Sequence, residues 1–192
     1  EQPLGQTIAN EKGHSMAEKE IIIAVSGGVA AYKAAALVSQ LAQQGHCVKV
    51  VMTESAQSFV GKATFAALTG NPVTADVFDP RFPLGAHIEL ARSAELLCVA
   101  PATANFMAKA ALGSADDLLS TLYLCFTGPV LVAPAMNCEM WEKPSVQRNY
   151  QQLIEDGVQF VDPQEGWLSC RTRGIGRMAS PEEIAVAIND RL

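Results

Sequence analysis

Residues 134–141 read PAMNCEMW, an asparagine amide set among two thioethers, a thiol and an indole, with Glu139 as the only charge. The stretch offers one neutral amide, in apolar company, to whatever a pocket there would hold. Three further stretches could do chemistry. SGGVAAYK (26–33) places Ser26, Gly27, Gly28 and Val29 at the start of a helix-period segment. Free N–H groups and the helix dipole favour an anion at such a place. A tight strand-to-helix turn that needs glycine explains the same residues, and the spacing is not G-x-G-x-x-G. TESAQS (53–58) offers Thr53 and Ser55, and PATANF (101–106) offers Thr103 and Asn105. Hydroxyls in these positions read as helix caps or, given their neighbours, as ligand contacts: phosphate for the first pair, the edge of a planar group for the second.

Two single residues add reactive chemistry. His87, in GAHIELARSAELL, stands at a helix start and shares a face with Leu90 and Ala91. It reads either as a structural histidine or as the one candidate base that titrates near neutrality. Cys170, in GWLSCRTRGIGRM (166–178), has Arg171, Arg173 and Arg177 close by in sequence. Nearby cations lower a thiol's pKa and attract anions. Equally, the stretch reads as a mobile glycine-rich loop after the last strand, of the kind that forms lids. Cys47, Cys98, Cys125 and Cys138 lie in or beside apolar runs and read as small core residues.

The elements that must position these residues alternate along the chain. Runs at 20–25, 46–52, 95–101, 128–134 and 157–161 are apolar and β-branched, as strands buried on both faces are. Between them lie helix-period segments, among them SAQSFVGKATFAALTG read as one helix and SPEEIAVAIND with Ser180 as N-cap and Pro181 at the first helical position. The expectation is one α/β domain, a three-layer flavodoxin-like (Rossmann-type) fold with a mainly parallel sheet covered by helices on both faces. In such sheets ligands collect at the carboxyl ends of the strands, and all four unusual stretches follow a strand.

Composition sets the bounds. The 192 residues suffice for one well-buried domain, assigned to 20–192, with 1–19 read as a flexible N-terminal tail or an expression remnant. Only 18% of residues are charged, which suggests apolar surface shared between subunits. A net charge of −6 argues against nucleic acid as a partner. No stretch reaches the roughly 18–20 apolar residues of a membrane span, and no signal-type apolar segment opens the chain. Five cysteines without C-x-x-C spacing point away from a disulfide framework and from structural zinc, and toward a reducing, cytoplasmic setting with no metal.

Taken in order, SGGVAAYK, HIELARSAELLCVAPATANFMAKAALGSADDLLST, PAMNCEMW and SCRTRGIGRM resemble the flavin-containing cysteine decarboxylases, and most closely their bacterial phosphopantothenoylcysteine decarboxylase branch. The resemblance runs from about residue 20 to 188, and P-x-M-N-x-x-M-W is its most specific element. It implies FMN as cofactor. It puts Ser26, Gly27, Gly28, Val29, Thr53 and Ser55 at the cofactor's phosphate and ribityl chain, and Thr103, Ala104, Asn105, Phe106 and Ala135 at the isoalloxazine. It implies His87 as base, Asn137 and Met140 as the substrate-holding pair, and Cys170 as proton donor, with Trp141 helping Met140 keep the pocket dry. The implied substrate is 4′-phosphopantothenoylcysteine, oxidised to a thioaldehyde, decarboxylated and re-reduced to 4′-phosphopantetheine in coenzyme A biosynthesis. The implied assembly is a homotrimer or an assembly of trimers, with FMN between subunits. Lantibiotic-type peptidyl-cysteine decarboxylases and non-catalytic FMN-binding regulatory proteins are the alternatives within the same resemblance. Glycine usually follows the clamp cysteine in the family, and here Arg171 stands in its place.

Overall fold

The computed structural model describes residues 20–192, so the expectation for 1–19 lies outside the described residues. Five strands form one parallel sheet: β1 (Glu20–Val25), β2 (Cys47–Met52), β3 (Leu96–Ala102), β4 (Val130–Pro134) and β5 (Gln159–Phe160). Their spatial order is β2-β1-β3-β4-β5, with every neighbouring pair parallel. The chain therefore leaves β1 toward one side of the sheet and continues on the other, which opens a crevice beyond the carboxyl ends of β1 and β3.

Both faces of the sheet are buried, as the apolar runs require. Ile21, Ile23 and Val25 pack with α1 (Ala31–Gln43) and α8 (Pro181–Asn189) on one face. Ile22 and Ala24 pack on the other with α3 (Ala86–Ser93), α4 (Ala104–Leu112), α5 (Leu118–Cys125) and α7 (Pro144–Glu155). The three isoleucines of β1 are fully buried, each stabilising the fold by roughly 1.5–3 kcal/mol over an exposed side chain. At α8 the Ser180 hydroxyl accepts from the Glu183 amide while Glu183 reaches back to the Ser180 amide, the capping box that the sequence predicts.

Several local expectations are corrected. Residues 55–70 do not form one helix. A 3-10 turn (Ser55–Ser58) and α2 (Lys62–Thr69) are separated by Gly61, whose extended backbone (φ −73°, ψ 147°) cannot continue a helix. The fifth strand is two residues long, because Gly157 (φ 90°) and Val158, bonded back to Leu153, still belong to the end of α7. PAMNCEMW is not an ordinary loop, since Cys138–Trp141 form a one-turn helix, α6. Nor is the glycine-rich segment after the sheet a loop. It folds as an antiparallel hairpin of β6 (Gln164–Trp167) and β7 (Arg173–Arg177), with Cys170 at the turn. Of the four cysteines read as core, only Cys98 is buried; Cys47 and Cys138 are partly exposed and Cys125 is exposed.

Candidate active site

A cavity of about 560 Å³ lies at the crevice beyond β1, β3 and β4. Gly27, Gly28 and Val29 line it from the loop after β1, Thr103 and Ala104 from the start of α4, and Ala135, Asn137 and Met140 from PAMNCEMW. The hairpin closes the remaining side with residues of both strands, Trp167 and Arg177 among them.

Ser26 does not line the cavity; it is 2% exposed. Its hydroxyl donates to the Pro101 carbonyl at 2.7 Å and accepts from the Thr103 amide at 2.9 Å, fastening the β1 loop to the β3 loop. Thr103 in turn caps α4, accepting from the Phe106 amide at 3.3 Å. Gly27 is required by space: a Cβ there would fall 2.1 Å from Ser55 Oγ. Thr53 and Ser55 share a hydroxyl contact at 3.2 Å, and Thr53 also accepts from the Ala56 amide, but the cap residue of the 3-10 turn is Glu54, so neither is the cap read from the sequence. Asn105 is exposed but outside the cavity wall. Phe106 is 3% exposed and packs edge-on against Tyr123 at 6.0 Å, a core position rather than a wall.

Asn137 is fixed by its own helix. Its Oδ1 accepts from the amides of Glu139 (2.8 Å) and Met140 (3.3 Å), capping α6. With the oxygen so occupied, the amide nitrogen is the half left for other partners. Trp141, expected to help dry this pocket, instead packs against Tyr150 at 5.2 Å on α7, and the indole at the cavity mouth is Trp167, 66% exposed.

Cys170 lies at the exposed hairpin turn, its Sγ 3.0 Å from Thr172 Oγ1. Its pKa is lowered chiefly by that hydroxyl, with the Asn137 amide contributing. The neighbouring arginines do not supply the shift, which corrects the electrostatic reading of the sequence. Arg171 is the one non-glycine among the described residues with positive φ (65°), in the place where the resemblance leads one to expect glycine.

Two glycines seat the hairpin on PAMNCEMW. Gly176 (φ 148°) accepts from the Met136 amide at 3.0 Å, and a Cβ there would fall 2.3 Å from the Met136 carbonyl. At Gly174 a Cβ would meet Cys138 Cβ at 2.7 Å. The carboxyl end of β4 and the hairpin are thus locked together by main-chain contact.

His87 is not among the residues that line the cavity. It follows Gly85, the cap residue of α3, and its Nδ1 is buried without a hydrogen-bond partner, unlike any other described side-chain nitrogen or oxygen. An orphaned ring nitrogen is costly unless something else meets it.

Of the two cations on the cavity wall, Arg177 was among the arginines noted beside Cys170, whereas sequence reading missed Lys33. Lys33 donates to the Met178 carbonyl at 3.3 Å, and its pKa is lowered by burial and then by Arg177. The available signal was helical spacing, since Lys33 lies one turn after Ala30, another wall residue.

With this geometry in view, the comparisons are direct. The family model described as Flavoprotein matches residues 9–192. The chain belongs to the flavoprotein family. It is 48% identical over 167 residues to the coenzyme A biosynthesis bifunctional protein CoaBC of Bacillus subtilis, covering 86% of this chain and 41% of that one. The Mycobacterium tuberculosis protein of the same name is 47% identical over 171 residues, covering 89% and 41%. The chain therefore spans about two fifths of the length of these relatives. Among solved structures, the FMN-dependent cysteine decarboxylase SpaF superposes with a TM-score of 0.80 at 34% identity, covering 91% of this chain and 98% of that one. A PPC decarboxylase mutant complexed with pantothenoylaminoethenethiol gives 0.83 at 31%, covering 90% and 97%. The expected flavodoxin-like fold is borne out. No helix among the described residues is long and apolar enough to cross a membrane.

Proposed function

We propose that this chain is the FMN-dependent decarboxylase of 4′-phosphopantothenoylcysteine, forming 4′-phosphopantetheine for coenzyme A biosynthesis. The observation that carries the reading is the Asn137 amide on the wall of a ligand-sized cavity, its oxygen locked by α6 so that its N–H donors are the part left for a ligand. The residues present fit FMN. The cavity is of ligand size and largely apolar, Gly27 and Gly28 bring main chain to its wall, and the start of α4 gives it main-chain donors.

Gly27, Gly28 and Val29, with Thr53 and Ser55, would hold the phosphate and ribityl chain, and Thr103, Ala104, Asn105 and Ala135 the ring system. Ser26 serves by fastening Thr103, and Phe106 by packing beneath the loop. Bound there, FMN would supply reversible two-electron redox chemistry at the thiol-bearing carbon of the substrate. Asn137 holds the carboxylate through N–H donors. A neutral amide suits a group whose charge must vanish, because a firm cation would stabilise the ground state more than the transition state. Met140 covers the pocket beside it, and Cys170 delivers the last proton to carbon.

His87 is the base that assists oxidation of the thiol, and in this reading it works in a neighbouring subunit's cavity. Its absence from the wall of its own chain's cavity and its orphaned Nδ1 support that arrangement. So does the apolar surface at Val29, Tyr32, Phe59 and Trp167, all at least half exposed on the cavity rim. The assembly is a homotrimer or larger set of trimers, and the setting cytoplasmic.

The deciding experiment is an anaerobic stopped-flow mix with 4′-phosphopantothenoylcysteine, following flavin absorbance and product. Transient bleaching with recovery, together with 4′-phosphopantetheine, is expected. Turnover of a C-terminal cysteine peptide instead would move the assignment to a peptidyl-cysteine decarboxylase, and a protein that binds FMN but bleaches with neither would be a binding protein. A sedimentation profile of monomer alone at micromolar concentration would remove the shared site.

A further inference from the structure

The hairpin turn brings together two thiols that are far apart in sequence. Cys170 Sγ lies 3.0 Å from Thr172 Oγ1, and Cys138 Sγ, on the first residue of α6, lies 3.8 Å from the same oxygen. Sulfurs that flank one hydroxyl at those distances are at most 6.8 Å apart, and rotation about each Cα–Cβ bond can bring them nearer. The hairpin that carries Cys170 is seated directly on Cys138, since at Gly174 a Cβ would meet Cys138 Cβ at 2.7 Å. Cys170 is exposed and Cys138 half-buried, so the turn residue is the more open to solutes. The Thr172 hydroxyl favours the Cys170 thiolate, the reactive form. Cys98 is the opposite case, fully buried with its thiol pushed up to about 12.

We propose that Cys138 and Cys170 are a site of reversible oxidation, closed to an intramolecular disulfide by hydroperoxides. The Cys170 thiolate attacks one peroxide oxygen, the O–O bond breaks, and the departing hydroxide takes up a proton as water. Cys138 then attacks the sulfenic sulfur of Cys170. The S–S bond forms as the S–O bond breaks, and the second oxygen leaves as water. Two electrons pass from the thiols to the peroxide, and a small dithiol reverses the bond by exchange. The bridge staples the hairpin turn to α6 at the cavity edge. Loss of turnover on oxidation rests on the reading of Cys170 as proton donor; formation of the bond does not.

The test uses the FMN-loaded protein, hydrogen peroxide, and digestion without reductant followed by mass spectrometry. The expected result is a cross-linked pair of peptides containing Cys138 and Cys170, lighter by two hydrogens and separated by dithiothreitol, with product formation lost and then fully regained. Cys138→Ser keeps the untreated activity. Under peroxide its Cys170 is captured by dimedone as sulfenic acid and passes on to sulfinic acid, so dithiothreitol no longer restores turnover. Wild-type protein whose Cys170 goes to sulfinic acid at the rate of the Cys138→Ser variant, with no cross-link, overturns the proposal. A cross-link that forms while product formation continues leaves the disulfide standing and removes Cys170 as proton donor.

Discussion

Replacing Gly176 by alanine tests how the hairpin is held on the site. The glycine has φ 148°, and its missing Cβ would lie 2.3 Å from the Met136 carbonyl oxygen, a main-chain atom that cannot rotate away. A side chain at such a backbone conformation costs on the order of 1–3 kcal/mol. Moving the strand away to relieve the clash also sacrifices the Met136 N–H to Gly176 O bond of 3.0 Å, about 0.5–1.5 kcal/mol net. Together the cost is roughly 2–4 kcal/mol. Gly45→Ala is the control, because Gly45 has φ 90° with nothing within 4 Å of its would-be Cβ, so it reports strain alone. Hydrogen exchange at the Met136 amide and thermal melting are the assays. In Gly176→Ala that amide should exchange faster by about tenfold for each 1.4 kcal/mol, and the melting temperature should fall by roughly 5–12 °C if the hairpin unfolds with the domain. A Gly176→Ala protein that melts like Gly45→Ala, with Met136 as protected as in the wild type, would refute close main-chain seating of the hairpin.

Arg171→Gly should tighten the turn by up to about 1 kcal/mol, seen as slower exchange of the Leu168 amide, which donates to Thr172. His87→Asn should retain FMN yet abolish bleaching by substrate in a single-turnover experiment. Cys170→Ser should release CO2 while an ene-thiol accumulates, a product mixture resolved by chromatography. Because the Cys170 pKa is lowered, its thiol form is full below the shifted value and is lost as pH rises through it, below the ordinary 9.0. The ene-thiol fraction should therefore grow with pH in wild type, and Thr172→Val, which removes the hydroxyl, should move that rise to higher pH.

How far the sequence led depended on what kind of signal each part carries. β1, β3 and β4 were legible because burial on both faces writes itself as an unbroken apolar run, and the site loops followed because each chemistry-bearing stretch trails a strand. The hairpin was not. In RGIGR the glycines on either side of Ile175 mask the strand signal, and its pairing depends on an approach to Cys138 and Met136 that only the fold creates. The cause of the Cys170 shift was missed because neighbouring arginines in sequence suggest Coulombic help, whereas the turn directs Thr172 at the sulfur. Nor could spacing reveal that Asn137 lines the cavity while His87 does not.

The Ser26 hydroxyl, donating to Pro101 and accepting from Thr103, bridges the crevice from within. The two walls of the cofactor cleft are therefore fastened by the polypeptide itself and do not wait for a ligand to draw them together. A receptor assembled in advance loses little conformational freedom on filling, so more of each ligand contact appears as affinity. Protein stripped of FMN should on this account keep the shape of its cleft, and Ser26→Ala should weaken FMN binding, because the cleft must then be ordered as it fills.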